Sequence, residues 1–347
     1  LDASTVKFGF GHVPAEDHRR HVRLVQVAEE LGFDYAWIPD QTFHRDPVAL
    51  IAAIAPVTRR IRLGLGVANP YTRHPATLAR AAATLDEMAE GRFSIGIGAG
   101  NRKELLQPLG LDDGDAARRC REMAEMVRAL LAGGRAEYRG RYFQAAGVAL
   151  DFPARSGLDI YIAGRGPNVL AAAGAAADGA IVGGLCTAAG IGYALDHIRR
   201  GASKVGRDAP SEVVSWVTCH LTENKTVAVR QLKAVVAHII GGAPVAVLQA
   251  AGLPEDLMER IKATYRERGV PEAAKLVTPQ CVDAFTIVGD AEECAERIAA
   301  LRGWGVTQFS VLMPPGSVEQ HEERLRAFAK AIIPLVAGQN AGSRGRG

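Results

Sequence analysis

Apolar runs and amphipathic stretches alternate along this chain in a repeating strand and helix rhythm. VKFGFG at 6–11 is a short apolar run. After it, Val22, Val25, Ala28 and Leu31 recur at helical spacing through 15–31, before Gly32 stops the helix. A stripe at three- and four-residue steps marks a helix with one buried face, whereas a short unbroken apolar run bounded by glycine marks a buried strand. YAWIP at 35–39 gives a second strand, and 47–58 is apolar and helical. The stretch 61–101 then contains a complete unit. Strands at 62–67 and 93–98 flank a helix at 75–90, where Leu78, Ala82, Leu85 and Met88 form the apolar face and Pro75 sits harmlessly in the first turn.

The rhythm continues with a helix at 116–132, its Met123, Met126, Val127 and Leu130 inward, and a hairpin-like excursion at 133–157. DIYIA at 159–163 is strand five, followed by a helix at 169–177. GAIVG at 179–183 is strand six, followed by a helix at 192–204. EVVSWVTCHL at 212–221 is strand seven by its β-branched content, with His220 near its end. Residues 226–282 break the rhythm and read as a helical insert. Strands at 285–288 and 308–312, with helices at 291–302 and 318–336, close the chain. Seven or eight such units predict a (β/α)8 TIM barrel with insertions, one domain over 1–337 and a flexible tail at 338–347. A doubly wound sheet would want GxGxxG at its first turn, and Gly9, Gly11 and Pro14 do not supply it.

In a barrel the loops at the carboxyl ends of the strands share one face, so 68–74 and 99–104 should open together. Glycines 64, 66, 96, 98 and 100 would let a flat ligand approach bare main chain. Asp40 heads a polar loop, DQTFHRD, after strand two. Strand five runs into Gly164, Arg165, Gly166, Pro167 and Asn168, a glycine turn at a helix start that can hold a phosphate through free backbone N–H groups and the helix dipole.

Bulk properties narrow the class. With 347 residues, 48% of them hydrophobic, the chain has ample core for a barrel or two smaller domains. A formal net charge of +3 with no basic stripe argues against nucleic acid, and no apolar run approaches the roughly 20 residues that span a membrane. No secretory leader is visible. Cys120, Cys186, Cys219, Cys281 and Cys294 are odd in number, scattered and without a Cys-x-x-Cys pair, which points to buried thiols in a reducing cytoplasm and not to disulfides or zinc.

The pieces FDYAWIPD, GLGVANPYTRHPA, ATLDEMAEGRFSIGIGAGN, YIAGRGPNVLAAAG, AAADGAIVG and VDAFTIVGDAEEC, in this order, resemble the bacterial luciferase-like superfamily of flavin and deazaflavin enzymes. Within it they most resemble the methylenetetrahydromethanopterin reductases, which use coenzyme F420; the likeness runs from about Lys7 to Pro314 and includes the insert VVAHIIGGAPVAVLQAAGLP. It implies a barrel with insertions, a cofactor across the strand carboxyl ends, and a homodimer. It further implies that Gly66 and Val67 flank a non-prolyl cis peptide in a bulge under the deazaflavin ring, beside Ala68 and Asn69. Gly98, Ala99, Gly100 and Asn101 would line the cofactor, Gly164 to Asn168 would take its phosphate, and Asp40 would stand beside the ring.

Two positions depart from the reductases. Gly11 stands where they carry a glutamate in the first strand, with His12 following, and Asn101 replaces the aspartate after GIGAG. The cofactor assignment therefore carries further than the pterin substrate. His12 is a candidate acid or base with an ordinary pKa near neutrality, although on an extended strand it points away from Gly11. Gln41, Thr42 and Asn101 are candidate hydrogen-bonding groups, and His44 a second proton relay. The expected chemistry is hydride transfer from reduced deazaflavin to an electron-poor C=N, C=C or C=O carbon of a small molecule. The alternatives are an FMN-dependent monooxygenase fed by a separate reductase, and a non-catalytic barrel.

Overall fold

Eight parallel strands close on themselves. The computed structural model describes residues 6–342 except 42, 101–104 and 113. The barrel strands are β1 Lys7–Gly11, β2 Tyr35–Ile38, β3 Arg62–Ala68, β4 Phe93–Ile97, β5 Asp159–Ala163, β6 Gly179–Gly183, β7 Glu212–Leu221 and β8 Gln308–Leu312. Each pairs in parallel with its neighbours, and closure comes from β8 on β1 (Gly11 opposite Leu312) and from β7 held between β6 and β8. The strand Thr286–Gly289 is not a stave of this barrel. It pairs only with the end of β7, placing Val288 opposite His220. The excursion after the helix Ala116–Leu131 is an antiparallel pair, Ala136–Arg139 with Gln144–Val148.

Alternation along the staves sorts side chains into two sets. Outward residues such as Val213, Val217 and Cys219 join the main core beneath the helices, while Tyr35, Trp37, Tyr161, Ile181 and Val214 fill the bore, with Val67, Ala163 and Trp216 packed on them. At the amino end the bore is closed by ion pairs, Lys7 with Glu212 at 2.7 Å and Arg62 with Asp159 at 2.5 Å. Above them Trp37 meets Tyr161 edge to face at 5.3 Å. The rings fit because the neighbouring staves carry glycine in register with them: the missing Cβ of Gly64 would fall on Trp37 and that of Gly179 on Tyr161.

The insert is helical as its composition implies, with helices Lys225–Gly242, Val245–Ala250, Glu255–Leu276 and Pro279–Phe285. The third is kinked at Gly269, whose φ of +79° precedes Pro271 by two residues. The last helix, Ile333–Gly342, runs across the 337/338 boundary drawn from composition. All five cysteines are buried and unpaired.

Candidate active site

The segments after β3, β4 and β5 meet at one end of the barrel. A Cβ on Gly98 would lie 2.6 Å from Val67 Cγ2 and 3.4 Å from Ala163 Cβ, so three consecutive strand ends touch. The peptide between Gly66 and Val67 is cis, and the β3–β4 register shifts between Leu65 and Ala68, a bulge that turns Val67 into the bore. Ala68 O accepts from Gly98 N at 3.0 Å. Asn69 is 2% exposed and ties the two loops: Nδ2 donates to Ala99 O at 2.9 Å, and Oδ1 accepts from Tyr71 N at 2.8 Å. Asn69 is thus a brace whose polar atoms are already committed.

The glycines have a different purpose from the one their sequence suggests. The space over Gly66 is filled by Trp216 (2.8 Å to a Cβ), that over Gly11 also by Trp216 (2.5 Å), that over Gly98 by Val67, and that over Gly96 by the Leu65 carbonyl oxygen (2.6 Å) and Val67 (2.9 Å). They make room for the protein's own side chains, not for a ligand against bare main chain. What remains open at the mouth is a floor made of Val67, Ala163 and Trp216, each half-buried. Gly100 has φ +69° and lies against Asn69 and Leu105.

Asp40 ends β2 and is held by Arg73: Nε to Oδ2 is 2.6 Å, while Arg73 Nη2 reaches Asp46 at 2.6 Å. Burial opposes the Arg73 charge, but the Asp40 and Asp46 carboxylates more than offset it and its pKa is raised. Asp46 also caps the helix Pro47–Ile54 through Val48 N and Ala49 N. Gln41 is exposed, with its carbonyl accepting from His44 N at 2.7 Å. Thr42 and Asn101 lie outside the described residues.

After β5 the geometry suits an anion. Gly166 is the N-cap of the helix Pro167–Ala176 and no side chain caps it, so the first-turn amides of Asn168 and Val169 have no partner among the described residues. Pro167, at the first helical position, has no N–H to leave unsatisfied. Arg165 beside them is half-buried and forms no ion pair or hydrogen bond with another described residue, and burial lowers its pKa. A half-buried guanidinium with no partner among the described residues, one position before an uncapped helix start, is an arrangement that suits an anion. The insert supplies a wall: Pro244 is the nearest atom to a Cβ on Gly166 (3.4 Å), and Ile239 and Arg165 both border Gly184.

His12 is not at this mouth. Gly11 faces Trp216 inside the bore, so the next residue turns outward and is buried 4.7 Å (ring to ring) from His21 of the helix His18–Glu30 and 4.7 Å from His321 of the helix Val318–Ala331. Its Nε2 has no hydrogen-bond partner among the described residues. Burial first, then the two histidines, lower its pKa to about 3, and a group behind the wall cannot exchange protons with a ligand in front of it. This corrects the assignment of His12 as acid or base.

Trp216, Ala163, Arg73 and the Gly184, Ile239 and Pro244 wall are the parts of the site that sequence reading missed. Trp216 carried the one usable signal, an aromatic on alternate positions with Val214 in strand seven. The broad depression between Asp86, Glu87, Glu90 and Arg155 is at the opposite, amino-terminal end and is spanned by the Asp86–Arg155 ion pair.

Comparison with known proteins agrees with this geometry. Residues 3–308 match the Luciferase-like monooxygenase family. The chain is 32% identical to the 5,10-methylenetetrahydromethanopterin reductase of Archaeoglobus fulgidus over 95% of this chain and 100% of that one. It is 33% identical to the F420-dependent glucose-6-phosphate dehydrogenase of Nocardia farcinica over 56% of this chain and 62% of that one. The solved coenzyme F420-dependent tetrahydromethanopterin reductase of Methanopyrus kandleri superposes with a TM-score of 0.80 at 29% identity, covering 95% of this chain and 99% of that one. An F420-dependent secondary alcohol dehydrogenase shares the fold with a TM-score of 0.76 at 19% identity. A closed parallel barrel, a bulged third strand and near full-length likeness to these reductases place the chain in the luciferase-like family.

Proposed function

We propose that this chain is a coenzyme F420-dependent oxidoreductase of the methylenetetrahydromethanopterin reductase type, moving a hydride between reduced deazaflavin and an electron-poor C=N, C=C or C=O carbon of a small molecule. The observation that carries the reading is Arg165, a half-buried cation with no partner among the described residues, beside the uncapped start of the helix Pro167–Ala176. Coenzyme F420 has a phosphodiester on the side chain of its flat ring, and these donors fit that anion. When bound, the deazaflavin supplies the hydride chemistry. The chain's own part is positional: Arg165 with the Asn168 and Val169 amides anchors the phosphate, Val67, Ala163 and Trp216 support the ring, and Ile239 and Pro244 keep water from that flank. Gly164, Gly166 and Pro167 shape the turn, Gly98, Ala99 and Gly100 form the edge beside Val67, and Asp40 with Arg73 fixes the loop after β2.

Relatives named for F420 dependence support F420 over FMN. Buried, unpaired thiols support a reducing compartment such as the cytoplasm, and a homodimer completes the reading, to be checked by light scattering. The test is a fluorescence titration with oxidised F420, with 5,10-methylenetetrahydromethanopterin as the first acceptor to try. Arg165→Gln should weaken F420 binding about 10- to 100-fold, the loss of a hydrogen-bonded charge. Tight FMN binding with oxygen consumption, and no F420 binding, would replace this reading with the monooxygenase one.

A further inference from the structure

Charge inside the barrel is distributed in a way that singles out one residue. Lys7, Glu212, Arg62 and Asp159 close the amino end and neutralise one another in pairs. Above that layer the inward stave positions among the described residues carry glycine, serine, threonine, glutamine, aliphatic and aromatic residues, and the ionisable groups there are tyrosines and His220. The row on β7 runs Val214, Trp216, Thr218, His220, and its first two members lie in the bore. His220 is on the same face, two positions beyond Thr218, which is level with Leu312 and Gly11. It is the one inward histidine among the described barrel positions.

The support of that position is unusual. β7 has ten residues where the other staves have four to seven, and β6 and β8 stop pairing with it at Trp216 and Thr218. The last turn of pleat would stand unpaired above the rim were it not for the strand Thr286–Gly289, which pairs with Thr218 to Leu221; Gly289 O also accepts from Thr222 N at 2.8 Å. The extra strand therefore continues the paired pleat of β7 to His220, two positions past the last residue that pairs with β8. His220 is half-buried, and its Nδ1 is enclosed without a partner among the described residues.

We propose that His220 is a catalytic residue, the group that exchanges a proton with the substrate at the barrel mouth; this rests on the F420 reading above. In the reducing direction the acceptor carbon gains hydride and its electron pair from reduced deazaflavin, which becomes oxidised. The π bond breaks toward nitrogen or oxygen, that atom takes the proton from the imidazolium of His220, and a solvent proton restores the imidazolium, matched by the ring N–H proton that the deazaflavin releases to solvent on giving up its hydride. The oxidising direction runs the same exchange backwards, with neutral His220 receiving the proton. Burial, then the Arg324 guanidinium, lower its pKa below the usual 6.5, so the neutral ring predominates at neutral pH. Arg324 is itself engaged, with Nη1 donating to Pro314 O at 2.5 Å.

The test labels the wild-type chain with diethyl pyrocarbonate, with and without saturating F420, and maps each histidine by peptide mass spectrometry. A parallel fluorescence titration reports whether F420 is bound. Bound F420 should slow labelling of His220 by about fivefold or more while the exposed His18 is unaffected. The pH profile of methylenetetrahydromethanopterin reduction should fall as pH rises through an apparent pKa below that of free imidazole, and His220→Gln should lose that limb while binding F420 within about twofold of wild type. F420 binding without protection of His220, or an unchanged limb in His220→Gln, overturns the proposal and leaves the cofactor reading intact. Failure to bind F420 overturns both. An acceptor that the wild type does not reduce removes only that acceptor, and the labelling result still decides the position of His220.

Discussion

Acid should destabilise this chain through the histidines packed behind β1. His12 is 8% exposed and meets His21 and His321 ring to ring at 4.7 Å each. Its pKa is lowered to about 3, and those of His21 and His321 are lowered too, each by burial first. The charges around the cluster are mixed: Glu16 and Asp17 favour protonation of His21, Glu16 also that of His321, while Arg45 and Arg324 oppose it. Because the folded pKa of His12 is below the unfolded one, the unfolded chain binds more protons between them. Stability is therefore full above about pH 6.5 and is lost as pH falls toward 3. One full proton of difference is worth about 1.4 kcal/mol per pH unit, and because the unfolded imidazole is half protonated at pH 6.5 His12 alone removes about 2 kcal/mol between pH 6.5 and 4.5. Urea denaturation followed by circular dichroism across that window, for wild type and His12→Leu, isolates the contribution from that of the carboxylates. The variant's stability should fall less steeply by about one proton. Parallel curves for the two chains would refute the reasoning, since His12 would then titrate alike folded and unfolded.

Three further outcomes follow from contacts already described. Gly11→Ala puts a Cβ 2.5 Å from Trp216 Nε1, and should cost about 1–3 kcal/mol in urea denaturation. In a Trp216→Leu background most of that penalty should vanish, and simple additivity would show that the two residues do not share the space. Arg155→Ala removes both hydrogen bonds, at 2.7 and 2.8 Å, from the Asp86 carboxylate, whose side chain is 6% exposed, and should cost about 3–5 kcal/mol; an unchanged unfolding midpoint would mean the pair is solvated. Asn69→Ala cuts the tie between the loops after β3 and β4, with an expected loss of about 1–3 kcal/mol and faster amide hydrogen exchange at Tyr71.

Strand periodicity located the staves well because each is a short apolar run closed by glycine or a polar residue. β5, β6, β7 and β8 have the same ends in sequence and in structure. Helix starts were less legible. The helix after β5 begins at Pro167, not at residue 169, because Gly-Pro-Asn reads locally as a turn while Gly166 is in fact an N-cap. Thr286–Gly289 has the same local pattern as a stave, and only the length of β7 reveals that it pairs outside the barrel. The site divided along the same line. The glycine turn after β5 was visible because consecutive residues make it. The Arg73–Asp40 pair spans 33 residues, and the glycines of β1, β3 and β4 needed the closed barrel to show that Trp216 and Val67 occupy their space. His12 failed for the same reason, since its face depends on which side of β1 becomes the bore.

The ion pairs that seal the amino end make the interior a well and not a tunnel. Under the proposed function, cofactor and substrate would therefore enter and leave by the same carboxyl-end rim, one opening serving both.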